Sequence, residues 1–218
     1  MKGLIGKKVG MTQVYDENGV LIPVTVVQAG PCVVTDVKTM ERDGYAAIQL
    51  GFGERKAKNV TKARAGHLAK AGVTGERLPS VLREVRISAA EEAPALGSEL
   101  KADIFEANEY LDVVGTTKGR GFQGVVRRYR FGGGRASHGG AWTRRTGSIG
   151  CCEKPGNVIK GKRMPGHMGN VPRTVQNLKI VRVMAEDNVL LLKGAVPGAN
   201  GGVLLIRSAI KKQPAAKK

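Results

Sequence analysis

Between Lys118 and Arg173 the chain carries thirteen basic residues and one acid, Glu153, spaced by fourteen glycines. No other stretch restricts the possible folds so strongly. Glycine favours neither helix nor strand and raises the entropic cost of ordering the backbone. Cations at this density repel one another unless counter-charge is supplied. A segment of this kind cannot bury enough apolar surface to fold alone, so it is expected to take shape only where phosphates neutralise it. Nine of the thirteen cations are arginine, whose planar fork suits bidentate phosphate contacts and stacking on bases. A solvated charge run with no fixed partner gives no reason for that bias.

The chain as a whole is basic, with 36 Lys and Arg against 18 Asp and Glu in 218 residues, a net charge of +18. The excess implies a polyanionic partner, either nucleic acid or an anionic membrane surface. No apolar run approaches the roughly 18 residues that would read as a membrane span. The opening Met1–Gly6 is too short in apolar residues for a signal peptide, and cytosolic residence is the expectation. Cys32, Cys151 and Cys152 are odd in number and lack framework spacing, which reads as reduced thiols.

The flanks of the basic segment have a different character. Val20–Val27, Cys32–Val37 and Tyr45–Leu50 are short β-branched runs separated by Asn18-Gly19, Gly30-Pro31 and Asp43-Gly44. The pattern resumes at Val175–Met184, Asn188–Lys193 and Val203–Ser208. Many short strands at this spacing predict a small antiparallel barrel, split in sequence by the glycine- and arginine-rich insertion. A long structureless insertion in a compact domain is usually functional. The expected organisation is a first barrel segment over 1–54, a mixed helical insertion over 55–112 and a barrel strand at 113–117. The basic extension follows over 118–173, then a second barrel segment over 174–210 and a basic tail over 211–218. Lys56–Ala71 has helix-compatible residues. The acids Glu84, Glu91, Glu92, Glu99, Glu106, Glu109, Asp103 and Asp112 are expected to face solvent, away from the polyanion.

Several motifs compete for a chemical reading. Gly119-Arg120-Gly121-Phe122-Gln123-Gly124 matches the dinucleotide fingerprint, but no Asp or Glu follows until Glu153 and Gly132–Gly134 block a long helix. A nicotinamide-dependent oxidoreductase is therefore the weaker reading. The string from Arg120 to Val126 echoes an RNA-recognition motif but lacks the later aromatics that stack bases. His138, His167, Cys151 and Cys152 do not have zinc-ligand spacing. His67 reads as a helix-end or packing residue. Ser137 and His138 are neighbours, with no carboxylate nearby in sequence to orient the imidazole. Neither a cofactor nor a metal is expected, and the chain does not read as an enzyme. Trp142, the only tryptophan, sits among glycines and arginines, which favours base stacking or a wedge at a loop tip over an anchor packed on the barrel. A sequence-tolerant nucleic-acid compaction protein is a further alternative.

Read from end to end, several strings resemble the third large-subunit ribosomal protein family (the universal L-three family, bacterial type). They are Met1–Thr12, Ile22–Val26, Gly66–Val73, Gly115–Gly124, Gly147–Gly150, Lys160–Gly169, Thr174–Leu178 and Lys193–Gly198. The resemblance implies a translation-factor-like barrel with a long extension threading into large-subunit RNA. It also implies early binding near the 3′ end of that RNA, where the protein helps nucleate assembly, and a loop containing Trp142 that approaches the peptidyl transferase centre. The fourteenth and nineteenth large-subunit proteins are the implied neighbours. Two departures stand out. Glu153 occupies a position where relatives often carry a methylated glutamine, so that modification is not carried over. Pro172-Arg173 replaces the more usual Arg-Val.

The fold expected is mainly β with some α: a split antiparallel β-barrel, a helical insertion and a long Gly/Arg-rich extension. The RNA-binding residues expected are Lys2, Lys7, Lys8, Lys118, Arg120, Arg127, Arg128, Arg130, Arg135, His138, Trp142, Arg144, Arg145, Lys154, Lys160, Lys162, Arg163, His167 and Arg173. The expected partners are large-subunit ribosomal RNA and neighbouring large-subunit proteins, with no membrane and no small-molecule substrate.

Overall fold

The computed structural model describes residues 2–87 and 93–212; Glu91 and Glu92 of the acidic run and residues 213–218 of the tail lie outside the described residues. The strands and helices before the extension are β1 (Gly3–Tyr15), β2 (Leu21–Ala29), β3 (Cys32–Lys38), α1 (Met40–Asp43), β4 (Ala47–Lys56), α2 (Lys62–Lys70), β5 (Arg77–Arg86), β6 (Glu99–Leu100) and β7 (Tyr110–Thr116). Within the extension lie β8 (Phe122–Gln123), α3 (Val125–Tyr129) and β9 (Gly166–His167). After it come β10 (Pro172–Met184), β11 (Val189–Lys193) and β12 (Val203–Ser208). The chain divides into two compact units: Met1–Thr116 with Pro172–Lys218, and Thr117–Val171.

In the first unit six strands close an antiparallel barrel in the order β1-β12-β7-β10-β11-β2. The protein is mainly β, and of the strands read from the sequence, Val20–Val27 before the basic segment and the three after it meet in this barrel. The register sets Leu4 opposite Ile206, and Ile206 opposite Val113. Directly opposed residues share a face, so three fully buried side chains line up across three strands. Each such burial contributes about 1.5–3 kcal/mol.

Strand β1 lies outside the runs that the sequence pattern marks as strands, yet it is central: it pairs with β12 from Gly3 to Lys7 and with β2 as far as Tyr15. Beyond Lys7 the β1–β2 pair continues as a hairpin, closed by a turn in which the Asp16 carbonyl accepts from Gly19 N–H at 2.9 Å.

The expectation that 1–54 all belongs to the barrel is corrected. Strands β3 and β4 form a separate four-stranded sheet, ordered β5-β4-β3-β6. Period-two alternation tells which face of a strand is buried but not which sheet it joins. Gly30, at φ 89°, turns the chain out of the barrel after β2. The second sheet covers the outer side of β1, and Ile5 is consequently as fully buried as its neighbour Leu4. Gly3 permits the close approach: a Cβ there would stand 2.6 Å from Val85 Cγ1. Cys32 Sγ, on β3, donates to the Ile5 carbonyl at 3.3 Å.

The 55–112 segment is less helical than expected, because it supplies β5, which pairs with β4 from Arg77 to Arg86. Its nine-residue helix α2 lies within the run that read as helix-compatible. Leu68 is the buried residue of α2, Arg64 Nη2 donates to the Pro79 and Ser80 carbonyls, and His67 Nε2 lies 2.7 Å from Gln49 Oε1. That is the packing role read for His67.

Among the acids expected to face solvent, Asp112 does the opposite and is 1% exposed. Its carboxylate accepts Asn177 N–H at 3.0 Å and Ile210 N–H at 3.5 Å. It thereby satisfies the backbone where the β7–β10 register shifts between Val175 and Leu178. No helix among the described residues is long and apolar enough to cross a membrane.

Candidate nucleic-acid interface

The second unit, Thr117–Val171, holds twelve of the chain's cations and a single acid, Glu153. The sequence suggested a structureless stretch, and the structure gives it a backbone of its own. Its two ends run antiparallel as a ribbon. Thr117 N–H donates to the Val171 carbonyl (3.0 Å), Arg120 N–H to Met168 (2.8 Å) and Met168 N–H to Gly121 (2.9 Å). Phe122 then pairs with His167, and Gln123 with Gly166. The Gly119–Gly124 string thus forms one side of this ribbon and leads into α3, which has only five residues.

Helix α3 is held by Val125, 1% exposed, and ends at Arg130, whose left-handed φ of 61° lets its N–H close on the Val126 carbonyl. Arg128 works inside the unit. Its Nη1 donates to the Met164 carbonyl at 2.8 Å, and its guanidinium carbon lies 4.9 Å from the centre of the Tyr129 ring. Arg163 approaches the same ring at 5.7 Å. Two cations sharing one aromatic ring draw on its quadrupole, which is worth about 0.5–1 kcal/mol per contact at exposed sites.

Between Gly134 and Thr143 the chain makes a loop whose ends meet, with Gly134 N–H donating to the Thr143 carbonyl at 3.2 Å. Gly133, at φ 74°, sits where a Cβ would collide with that carbonyl. Trp142 is 53% exposed, and the rest of its indole packs on Gly134. Part of the indole therefore braces the loop, and about half of the residue remains open. Arg135 and His138 are exposed on this loop, with His138 at φ 56°.

Lys118, Arg120, Arg127, Arg130, Arg135, His138, Arg144, Arg145, Lys154, Lys160, Lys162, Arg163 and His167 are all exposed, whereas Arg128 is half-buried. Among the described residues no ion pair involves any extension cation. Their charge is therefore available to phosphates, which neutralise it and release counterions. Apolar groups stand exposed between them, namely Phe122 (76%), Ile149, Val158 and Ile159 (68%). Phe122 and Ile159 were missed in the sequence. The available signal was apolar side chains without periodicity in a segment too polar to bury them.

In the first unit Lys7 and Arg173 are exposed, and Lys2 pairs with Glu109 at 3.6 Å while remaining partly open. Lys8 is a correction. It is 7% exposed, and its Nζ donates to the Val196 carbonyl at 3.2 Å and the Gly198 carbonyl at 3.4 Å. A lysine can satisfy buried backbone acceptors as readily as phosphates, and this one is committed to the 196–198 turn. All three cysteines are free; Cys32 is buried, and Cys151 and Cys152 are exposed.

The family model described as Ribosomal protein L3 matches residues 54–188. Proteins named large ribosomal subunit protein uL3 are similar along nearly the whole chain. That of Heliobacterium modesticaldum is 55% identical over 210 residues, covering 96% of this chain and 98% of its own. That of Cutibacterium acnes is 54% identical over 213 residues, covering 97% and 94% respectively. That of Nitrosococcus oceani is 53% identical over 211 residues, covering 96% and 97%. A closed six-stranded barrel and an extension whose cations have no ion-pair partner among the described residues thus occur in one chain, which belongs to the Ribosomal protein L3 family.

Proposed function

We propose that this protein is a structural constituent of the large ribosomal subunit, resident with it in the cytoplasm, and that it acts by binding large-subunit ribosomal RNA rather than by catalysis. The observation that carries the reading is the electrostatic one: twelve cations against one acid in the extension, with no carboxylate partner for any of them among the described residues. Lys7, Arg173 and the open face of Lys2 add contacts from the barrel unit. Phosphate contacts supply affinity, while exposed Phe122 and the open part of Trp142 supply stacking surfaces that fix register. In this reading the extension takes its working shape as phosphates close around it. It threads toward the peptidyl transferase centre without performing the chemistry. The protein binds early near the 3′ end of the RNA, with the fourteenth and nineteenth large-subunit proteins as neighbours.

The test compares the full chain with a Gly132–Arg163 deletion. Intact protein is expected to prefer folded large-subunit RNA over duplex DNA, with affinity falling steeply as salt rises. The deletion is expected to leave a folded barrel and impair subunit assembly. Equal affinity for duplex DNA, or normal assembly by the deletion, overturns the reading.

A further inference from the structure

The hairpin of β1 and β2 is out of character with the rest of the chain. Lysine and arginine make up 36 of 218 residues, yet residues 9–23 contain none, and the turn carries Asp16 and Glu17. A surface without cations and with two acids at its tip is a poor ligand for phosphates. It is apolar instead: Val9 is 53% exposed, Met11 52%, Tyr15 69% and Leu21 46%. Met11 and Tyr15 are four residues apart on one strand and share a face, and Leu21 stands directly opposite Tyr15 in register.

The backbone is open as well. Strand β12 accompanies β1 only from Gly3 to Lys7, and the last cross-links on that side are Lys8 N–H to the Gly202 carbonyl and Gly201 N–H to the Lys8 carbonyl. From Val9 to Tyr15 the only strand paired with β1 among the described residues is β2, so alternate amides and carbonyls face outward. Proteins normally protect such an edge with lysine, proline or a bulge. This edge has one bulge, between Lys8 and Gly10, and no lysine or proline along Val9–Tyr15. A free edge beside an exposed apolar face is a pairing template left open.

We propose that this hairpin is a protein-docking element: an extended apolar segment of a second polypeptide, flanked by lysine or arginine, adds as a strand to the Val9–Tyr15 edge. Backbone hydrogen bonds along the edge supply affinity, and side chains seated against Met11 and Tyr15 supply specificity. Methionine and aromatics are the residues enriched at the core of such interfaces, where lysine is depleted. Asp16 and Glu17 complement the basic flank, which selects a basic protein over RNA or an acidic partner. The proposal rests on the ribosomal reading for its setting but not on the RNA-binding role of the extension.

The test uses the full chain assembled into large subunits in cells, with Tyr15→benzoylphenylalanine as the photoprobe and Phe122→benzoylphenylalanine as a reference on the extension. Irradiation of isolated subunits is expected to join Tyr15 to one peptide of a single basic protein, in an adduct that survives nuclease. Adding Met11→Asp is expected to abolish that adduct without lowering the thermal midpoint of the free chain. A Tyr15 adduct to ribosomal RNA, to a second copy of this chain, or no adduct at all overturns the proposal. Failure of Phe122 to join RNA counts against the extension's RNA role alone, so the two readings fail separately.

Discussion

The indole of Trp142 lies against the backbone of Gly134, where an added Cβ would stand 2.6 Å from the ring's Cδ2 atom and 2.7 Å from Cε3. The glycine is thus the floor on which the only tryptophan rests, and the loop's closing hydrogen bond, Gly134 N–H to Thr143, leaves from the same residue. Gly134→Ala is expected to lift the indole from its seat. Intrinsic fluorescence should then move to longer wavelength with lower anisotropy, while barrel stability changes by no more than about 0.5 kcal/mol. An unaltered emission spectrum would show that the indole does not rest there in solution.

Adjacent lysines on β1 should behave differently. Lys8→Met leaves the Val196 and Gly198 carbonyls without their donor in a buried site, which is expected to cost about 1–3 kcal/mol in denaturant unfolding. Because its charge already sits inside the fold, the salt dependence of RNA binding should not move. Lys7→Met should do the reverse, leaving stability within about 0.5 kcal/mol and lowering the salt slope by roughly one phosphate's worth. Equal effects of the two substitutions on RNA binding would contradict the burial of Lys8.

This pair shows where sequence reading stops. The charge of the extension was legible because charge density and the absence of neighbouring acids, as between Lys118 and Arg173, do not depend on how the chain folds. The barrel was legible from β-branched runs punctuated by Asn18-Gly19 and Pro197-Gly198. Which strands join which sheet was not, since β3 and β4 carry the same period-two pattern as the barrel strands, and a turn at Gly30 decides their sheet. Nor could the sequence separate cations that face outward from those that serve the fold. Lys8, Arg64 and Arg128 all donate to backbone carbonyls brought close only by tertiary structure. Asp112 is hidden for the same reason, because the amides it satisfies belong to Asn177 and Ile210.

Arg128 and Arg127 offer a test of that distinction inside the extension. Arg128 combines a hydrogen bond to Met164 with a stack on Tyr129, whereas Arg127 is exposed. A lysine keeps the charge but loses the planar fork. Arg128→Lys is expected to weaken the local structure by about 1–2 kcal/mol, read as faster hydrogen exchange at the Arg120 and Met168 amides of the ribbon. Arg127→Lys should leave those amides unchanged. Similar exchange in both variants would mean that Arg128 does not brace the unit.

Cys32 gives the barrel unit a dependence on alkaline pH. Burial pushes its thiol up from an ordinary value of 9.0 to about 11, and the S–H donates to the Ile5 carbonyl. The folded state therefore holds the proton more tightly than the unfolded chain. Its contribution is complete below pH 9.0 and is lost as pH rises toward about 11, because over that window the unfolded chain releases a proton that the folded chain keeps. A shift of this size corresponds to roughly 3 kcal/mol of stability lost across the window. Cys32→Ala should flatten the alkaline limb of a plot of denaturant midpoint against pH, at the expense of the packing that the sulfur supplied. Iodoacetamide at mildly alkaline pH should correspondingly label Cys151 and Cys152 in the native protein well before Cys32. Early labelling of Cys32, or an alkaline limb indifferent to its removal, would mean that the second sheet does not seal β1 as tightly as the Gly3–Val85 contact requires.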